Sequence, residues 1–141
     1  MYKRILVPVD LGHGSVAAHI LKVARWLAGD TGQVTLLHVM DRPPAYVLAE
    51  VPHGILEKHR ADTRAALEAL AAGPVRIDRL LLLDGNAATT ILAQAEAEEV
   101  DAIVLGSHRP DYRDYLIGST ASRVVRHAAC TVVVERSWPE G

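Results

Sequence analysis

Apolar positions along the chain follow two alternating rhythms. Short, nearly unbroken aliphatic runs occur at 4–9 (RILVPV), 33–40 (QVTLLHVM), 75–83, 101–106 (DAIVLG) and 131–135 (TVVVE). Runs of this kind, rich in Val, Ile and Leu and bounded by turn residues, predict strands buried on both faces, as in parallel sheets. Pro8 cannot donate a ladder hydrogen bond, so pairing of the first strand is expected to stop near it. The third run is expected to begin irregularly. The fourth is almost wholly apolar and is placed near the sheet centre.

Between the runs the spacing changes to three and four residues. Segment 15–29 carries Val16, Ile20, Val23 and Leu27, with Ala17, Leu21, Ala24 and Ala28 beside them. That is the broad stripe of a helix lying on a sheet. Ser15 is expected to cap its start and Gly29 to lie near its end. Segment 53–72 places Leu56, Thr63, Leu67 and Leu70 at helical spacing and stops at Gly73-Pro74. Gly85-Asn86 predicts a turn, with Asn86 capping a helix over 87–98. A last helix over 119–128 ends in Arg126 and His127, cations that complement its dipole. Segment 41–52 contains Pro43, Pro44 and Pro52 and reads as a loop, as does 107–118. Glu96, Glu98 and Glu99 read as a solvated helix face, and 137–141 as a short tail.

The order is therefore β-α-β-α-β-α-β-α-β. Parallel neighbours need crossover helices, and right-handed crossovers place helices on both faces of the sheet. The prediction is a single domain over 1–141, an α/β doubly wound, Rossmann-like parallel sheet. Ligands of such sheets bind outside the carboxyl ends of the strands, where the strand order reverses.

Composition narrows the picture. The 141 residues include no Phe, so the core is aliphatic. A net charge of −2 supplies no general field for nucleic acid or an anionic membrane. No stretch approaches the roughly 18 uninterrupted apolar residues of a membrane span, and the opening MYKRILVPVD is too short for a signal peptide. The single cysteine, Cys130, cannot form an internal disulfide, which fits a reducing compartment. A cytoplasmic protein is expected. Cys130 itself, between a helix and an apolar strand, reads as a buried, inert thiol.

Candidate chemistry gathers where the strands end. In a parallel sheet Pro8-Val9-Asp10, Val39-Met40-Asp41 and Gly106-Ser107-His108-Arg109-Pro110 share one edge. The chain then enters its last helix through Gly118-Ser119-Thr120. Glycine permits close backbone approach, and a helix start offers free N–H donors and partial positive charge to an anion. Taken alone, such a turn is an ordinary helix start. The rival motif is Gly12-His13-Gly14-Ser15-Val16-Ala17, which fits G-x-G-x-x-A. There Asp10 and Leu11 separate strand from glycine, so the tight dinucleotide turn is displaced, and a glycine-rich turn is the better reading. No G-x-x-x-x-G-K-S/T is present. The seven histidines show no metal spacing, and His38 reads as a packed or hydrogen-bonded strand residue. Ser119 has no evident base beside it. Tyr112 and Tyr115, among Asp111, Arg113 and Asp114, give the 107–118 loop the character of a lid, a partner surface or a solvated loop.

The combination is more specific than its parts. Leu105-Gly106-Ser107-His108-Arg109-Pro110, then Gly118-Ser119-Thr120, then Val124-Val125-Arg126-His127-Ala128-Ala129-Cys130-Thr131-Val132-Val133-Val134, closely resembles the signature of universal stress proteins. The opening KRILVPVD and Leu37-His38-Val39 match the family's first and second strands, and the resemblance spans the chain. It implies a five-stranded sheet in the order 3-2-1-4-5 and a homodimer through Thr131–Glu135, whose apolar edge also invites such pairing. It further implies an adenine-nucleotide site. By position, Pro8, Val9, Asp10 and Val39 fall to base and sugar. Gly106, Arg109, Gly118, Ser119 and Thr120 fall to ribose and phosphates, with Leu105 and His108 beside them. The family's ATP-binding pattern is G-x2-G-x9-G-S/T. Here Arg109 replaces the second glycine, as in a G-S-x-R-P bacterial subgroup, and Gly118 comes one residue early. Arg109 lacks glycine's backbone freedom but is a bidentate phosphate donor.

The resulting expectation is an ATP-binding stress-response module, with or without Mg²⁺, in which the nucleotide orders the 107–118 loop. No catalytic residue is assigned, and any hydrolysis should be slow. The alternatives are a nucleotide-free dimeric interaction protein of the same fold and a small NAD-binding enzyme using Gly12 and Gly14.

Overall fold

The computed structural model describes residues 2–12, 14–107 and 118–136. Its elements are β1 (Arg4–Pro8), α1 (Gly14–Ala28), β2 (Gln33–Met40), α2 (Ala45–Glu50), α3 (His53–Ala71), β3 (Arg79–Asp84), α4 (Ala87–Ala97), β4 (Ala102–Gly106), α5 (Ser119–His127) and β5 (Thr131–Glu135). The sheet has five parallel strands in the order β3-β2-β1-β4-β5.

Side-chain alternation along the strands explains two helical layers. Ile5, Val7 and Val9 face one way, with Val34 and Leu36 of β2, and meet Ala17, Ile20, Leu21 and Ala24 of α1 and Leu67 of α3. Leu6, Leu37, Ile103 and Leu105 face the other way and meet Ala88 and Ile91 of α4 and Ala121 and Val124 of α5. Alanines on α1 and α4 let the helices approach the sheet closely. The fully buried large side chains are Ile, Leu and Val.

Three expectations need correction. The 41–52 segment is not a plain loop, because its prolines set boundaries instead of breaking a helix. Pro44 stands at the N-cap of α2 with φ −57° and ψ 151°, and its carbonyl accepts from Val47 (3.0 Å) and Leu48 (3.1 Å). Pro52 pushes Val51 into extended backbone (φ −86°, ψ 130°), closing α2, and itself caps α3. The third strand starts at Arg79, not at 75, although Asp78 N–H already reaches the Val34 carbonyl at 2.9 Å. Glu98 is not on a solvated face. Its side chain is only 15% exposed and is ion-paired with Arg79. Asn86 caps α4 as expected, accepting from Thr89 N–H at 3.0 Å. Ser15's expected cap rests on a side chain outside the described set.

Candidate functional site

Chain direction creates a crevice at the carboxyl edge. From β1 the chain turns through α1 to β2 on one side, and from β4 through α5 to β5 on the other. The ends of β1 and β4 are adjacent, so the connections leaving them diverge over a common gap.

That gap is a cavity of about 520 Å³. Pockets for small molecules typically run to about 300–1,000 Å³. Pro8, Val9 and Asp10 form one wall and Val39 another, with Asp41 beyond it. Leu105, Gly106 and Ser107 form the floor at β4, and Gly118, Ser119 and Thr120 form the far side. Every expected contact residue within the described set therefore lines one space. His108 and Arg109 lie outside the described residues, as do Asp111–Tyr115, read from the sequence as a lid, a partner surface or a solvated loop.

Local chemistry differs across the cavity. Asp10 leaves β1 exposed, and its Oδ1 accepts Gly12 N–H at 2.9 Å. This contact occupies the first glycine of the rival dinucleotide motif with a carboxylate, where a pyrophosphate would need a free donor. Val9 N–H continues the ladder to the Leu37 carbonyl (2.9 Å), and the Val9 carbonyl meets His38 Nδ1 at 2.8 Å. At β4, a Cβ on Gly106 would stand 2.7 Å from Ile20 Cδ1, so the missing side chain lets α1 close over the strand end.

On the far side Gly118 is the N-cap of α5, with φ 86° and ψ 158° and no side-chain cap. A β-carbon there would be strained. Ser122 N–H is the first in α5 to bond within the turn, to the Gly118 carbonyl at 3.0 Å. The N–H groups of Ser119, Thr120 and Ala121 thus have no intrahelical acceptor. They add to the positive end of the helix dipole. One end of the cavity carries the Asp10 and Asp41 carboxylates, and the other carries a helix N-terminus.

Sequence reasoning missed part of the lining. Val16, Ala17 and Ile20 of α1, Ala87 and Ile91 of α4, and Ala121 of α5 supply apolar walls. The helical spacing of Val16, Ala17 and Ile20 marks them as core-facing, whereas Ala87, Ile91 and Ala121 are assigned no face by the sequence. Ser107 and Asp41, which the sequence places at this edge, line it as well, and so does His38. Among the described residues no group of three or more His, Cys, Asp or Glu is arranged to hold a metal ion. Cys130 is partly buried against the α4–α5 side of the sheet. Burial pushes its thiol up, and the Asp101 carboxylate adds to the shift against a backbone hydrogen bond, which disfavours the reactive thiolate.

Comparison with known proteins agrees with this geometry. A model of the universal stress protein family matches residues 1–136. The chain is similar to universal stress protein G of Salmonella typhimurium, with 30% identity over 143 residues, covering 96% of this chain and all (100%) of that one. Among solved structures it resembles universal stress protein UspA from Lactobacillus plantarum, at 30% identity and TM-score 0.68, over 96% and 98% of the two chains. A universal stress protein solved in complex with cAMP shares the fold, at 15% identity and TM-score 0.66, over 95% and 97%.

Proposed function

Starting from a chain that belongs to the universal stress protein family, we propose that its carboxyl-edge cavity binds an adenine nucleotide, ATP in the first instance. The observation that carries this reading is convergence. Residues from three separate strand ends and one helix start line a single space, with hydrogen-bond acceptors at one end and N–H groups that have no intrahelical acceptor at the other. A nucleotide has the matching asymmetry, with amino and hydroxyl donors on base and ribose and anionic oxygens on the phosphates. The apolar walls from α1 and α4 suit the flat faces of a base. The fold neighbour solved with cAMP supports the ligand class.

Pro8, Val9, Asp10 and Val39 hold base and sugar in this account. Leu105 and Gly106 floor the site, and Gly118, Ser119 and Thr120 receive phosphates at the start of α5. His108 and Arg109 would join from the 107–118 segment. The chain acts as a regulatory module: the nucleotide favours a closed arrangement of that segment and so alters what partners meet. The module is one cytoplasmic domain that pairs with a second copy along β5. Val132, Val133 and Val134 of that edge strand are each only partly buried. Light scattering at micromolar concentration should give twice the chain mass.

Calorimetric titration with ATP, with and without Mg²⁺, tests the site. Binding is expected, and ATP at about 100 times its Kd should stabilise the fold by about 2.7 kcal/mol. No heat and no thermal stabilisation would reject the reading.

A further inference from the structure

Among the described residues lining the cavity, His38 has a ring whose hydrogen-bonding sense is set by a backbone contact. Its Nδ1 lies 2.8 Å from the Val9 carbonyl oxygen, which can only accept. Nδ1 therefore carries the proton, and Nε2 of the neutral ring is an acceptor. Among the described residues Nε2 has no protein partner, and it is not among the polar atoms sealed from solvent without one. His38 lines the same cavity as Asp10 and Asp41.

These three are the only polar side chains lining the cavity from β1, α1 and β2 among the described residues. The remainder of that end is Pro8, Val9, Val16, Ala17, Ile20 and Val39. Ionised carboxylates accept and do not donate. Among the described side chains, hydrogen-bonding capacity at this end is thus acceptor capacity, and a ligand seated against them must bring donors. A ring carbonyl facing Nε2 would set lone pair against lone pair and leave both without partners.

We propose that His38 is a specificity-determining residue, its Nε2 lone pair selecting nucleotides whose base presents an amino group over those presenting a carbonyl at the same edge. This rests on the reading that the cavity takes a nucleotide with its base toward β1 and β2. Aminopurine nucleotides are the favoured class, and 6-oxopurine nucleotides are rejected. The Val9 contact does the positioning. By fixing the proton on Nδ1 it keeps Nε2 from presenting the opposite polarity.

Calorimetry with ATP and with inosine triphosphate, on the unaltered protein and on His38→Leu, tests this. Inosine carries a carbonyl where adenosine carries the amino group. The unaltered protein should bind ATP about tenfold more tightly, the cost of one mismatched hydrogen bond. His38→Leu should bring the ratio close to one. Loss of a merely structural contact would weaken both nucleotides alike and leave the ratio standing. A second measurement needs no variant: long-range ¹H–¹⁵N correlation of the ring should show the Nδ1–H tautomer without ligand and a shift of Nε2 with ATP. ATP binding in which the unaltered protein shows no preference, or in which His38→Leu keeps the preference, overturns the role of His38 and leaves the site standing. So does an Nε2–H tautomer. Failure of the unaltered protein to bind either nucleotide overturns the nucleotide reading and this selectivity with it.

Discussion

The two edges of the sheet handle their polar groups in opposite ways. At the amino edge the strand starts are tied down by carboxylates. Asp101 accepts from Lys3 N–H at 2.8 Å and Arg4 N–H at 2.9 Å, which ties β1 to β4. Asp78 accepts from Val34 N–H at 2.8 Å and from Arg25 at 2.7 Å, which ties β2, β3 and α1 together. A cavity of about 290 Å³ lies here too, but its charges are matched to one another, Arg79 with Glu98 and Arg4 with Glu99. At the carboxyl edge the acceptors of Asp41 and His38 Nε2 and the first N–H groups of α5 meet no such partners among the described residues. Hydrogen bonds made within the protein hold an edge together, whereas polar groups left open at a cavity are available to a ligand. The strand starts are fastened by carboxylates, whereas at the carboxyl edge the Arg60–Asp84 pair (2.7 Å) stands beside polar groups that remain open to the cavity.

The sharpest way to break that division is to attack the amino edge. Asp78→Ala removes the Val34 and Arg25 bonds and leaves a partly buried guanidinium without its carboxylate. A loss of about 3 kcal/mol is expected in urea titration. ATP affinity should be unchanged, because the substitution lies at the other end of the strands. An equal loss of affinity would mean that the edges are not separable.

Gly118→Val attacks the carboxyl edge. A β-branched residue at φ 86° costs about 1–3 kcal/mol of strain and crowds the start of α5. Calorimetry should show ATP binding abolished. A variant that binds like the parent would place the phosphates elsewhere.

Acid sharpens the same contrast. Burial alone would raise the Asp78 and Asp101 carboxyls, but hydrogen bonds from Val34 and Arg25, and from Lys3 and Arg4, hold them below their ordinary value of 3.8. Both groups bind protons more readily unfolded than folded. Their contribution is therefore complete above that ordinary value and disappears as pH falls through their lower folded values. Stability measured down an acid series should drop in that window, and Asp101→Asn should shrink the drop.

The smallest effect concerns a helix start at the carboxyl edge that is already satisfied. Asn86 caps α4 with its own side chain, whereas Gly118 brings none to α5. Asn86→Ala should cost about 1 kcal/mol with no change in ATP affinity, measured by denaturation and calorimetry.

Much of this architecture is legible in local pattern. β2 and β5 stand where their aliphatic runs predict, and Asn86 caps α4 because the capping geometry is local. The cavity walls from Pro8 to Asp10, at Val39 and from Gly118 to Thr120 follow from parallel topology, which brings every strand end to one edge. What escaped local reading depends on distant partners or on proline position. Three prolines argue against a helix over 41–52, yet two precede α2 and one follows it. Glu98 looks solvent-facing until Arg79 is brought across from β3. Asp78 and Asp101 bond backbone groups 44 and 97–98 residues away, so nothing near them in the sequence marks them as the fastenings of the amino edge. His38 reads as a packed or hydrogen-bonded strand residue, as its contact with the Val9 carbonyl bears out, but its place in the cavity lining depends on where β1 ends.

The most direct test is to follow backbone amide resonances of the whole protein during an ATP titration. The account predicts saturable shifts at Asp10 and Val39 together with Ser119 and Thr120, while Lys3, Val34 and Asp101 stay still. Shifts confined to the amino edge, or to one wall of the cavity without the other, would contradict it.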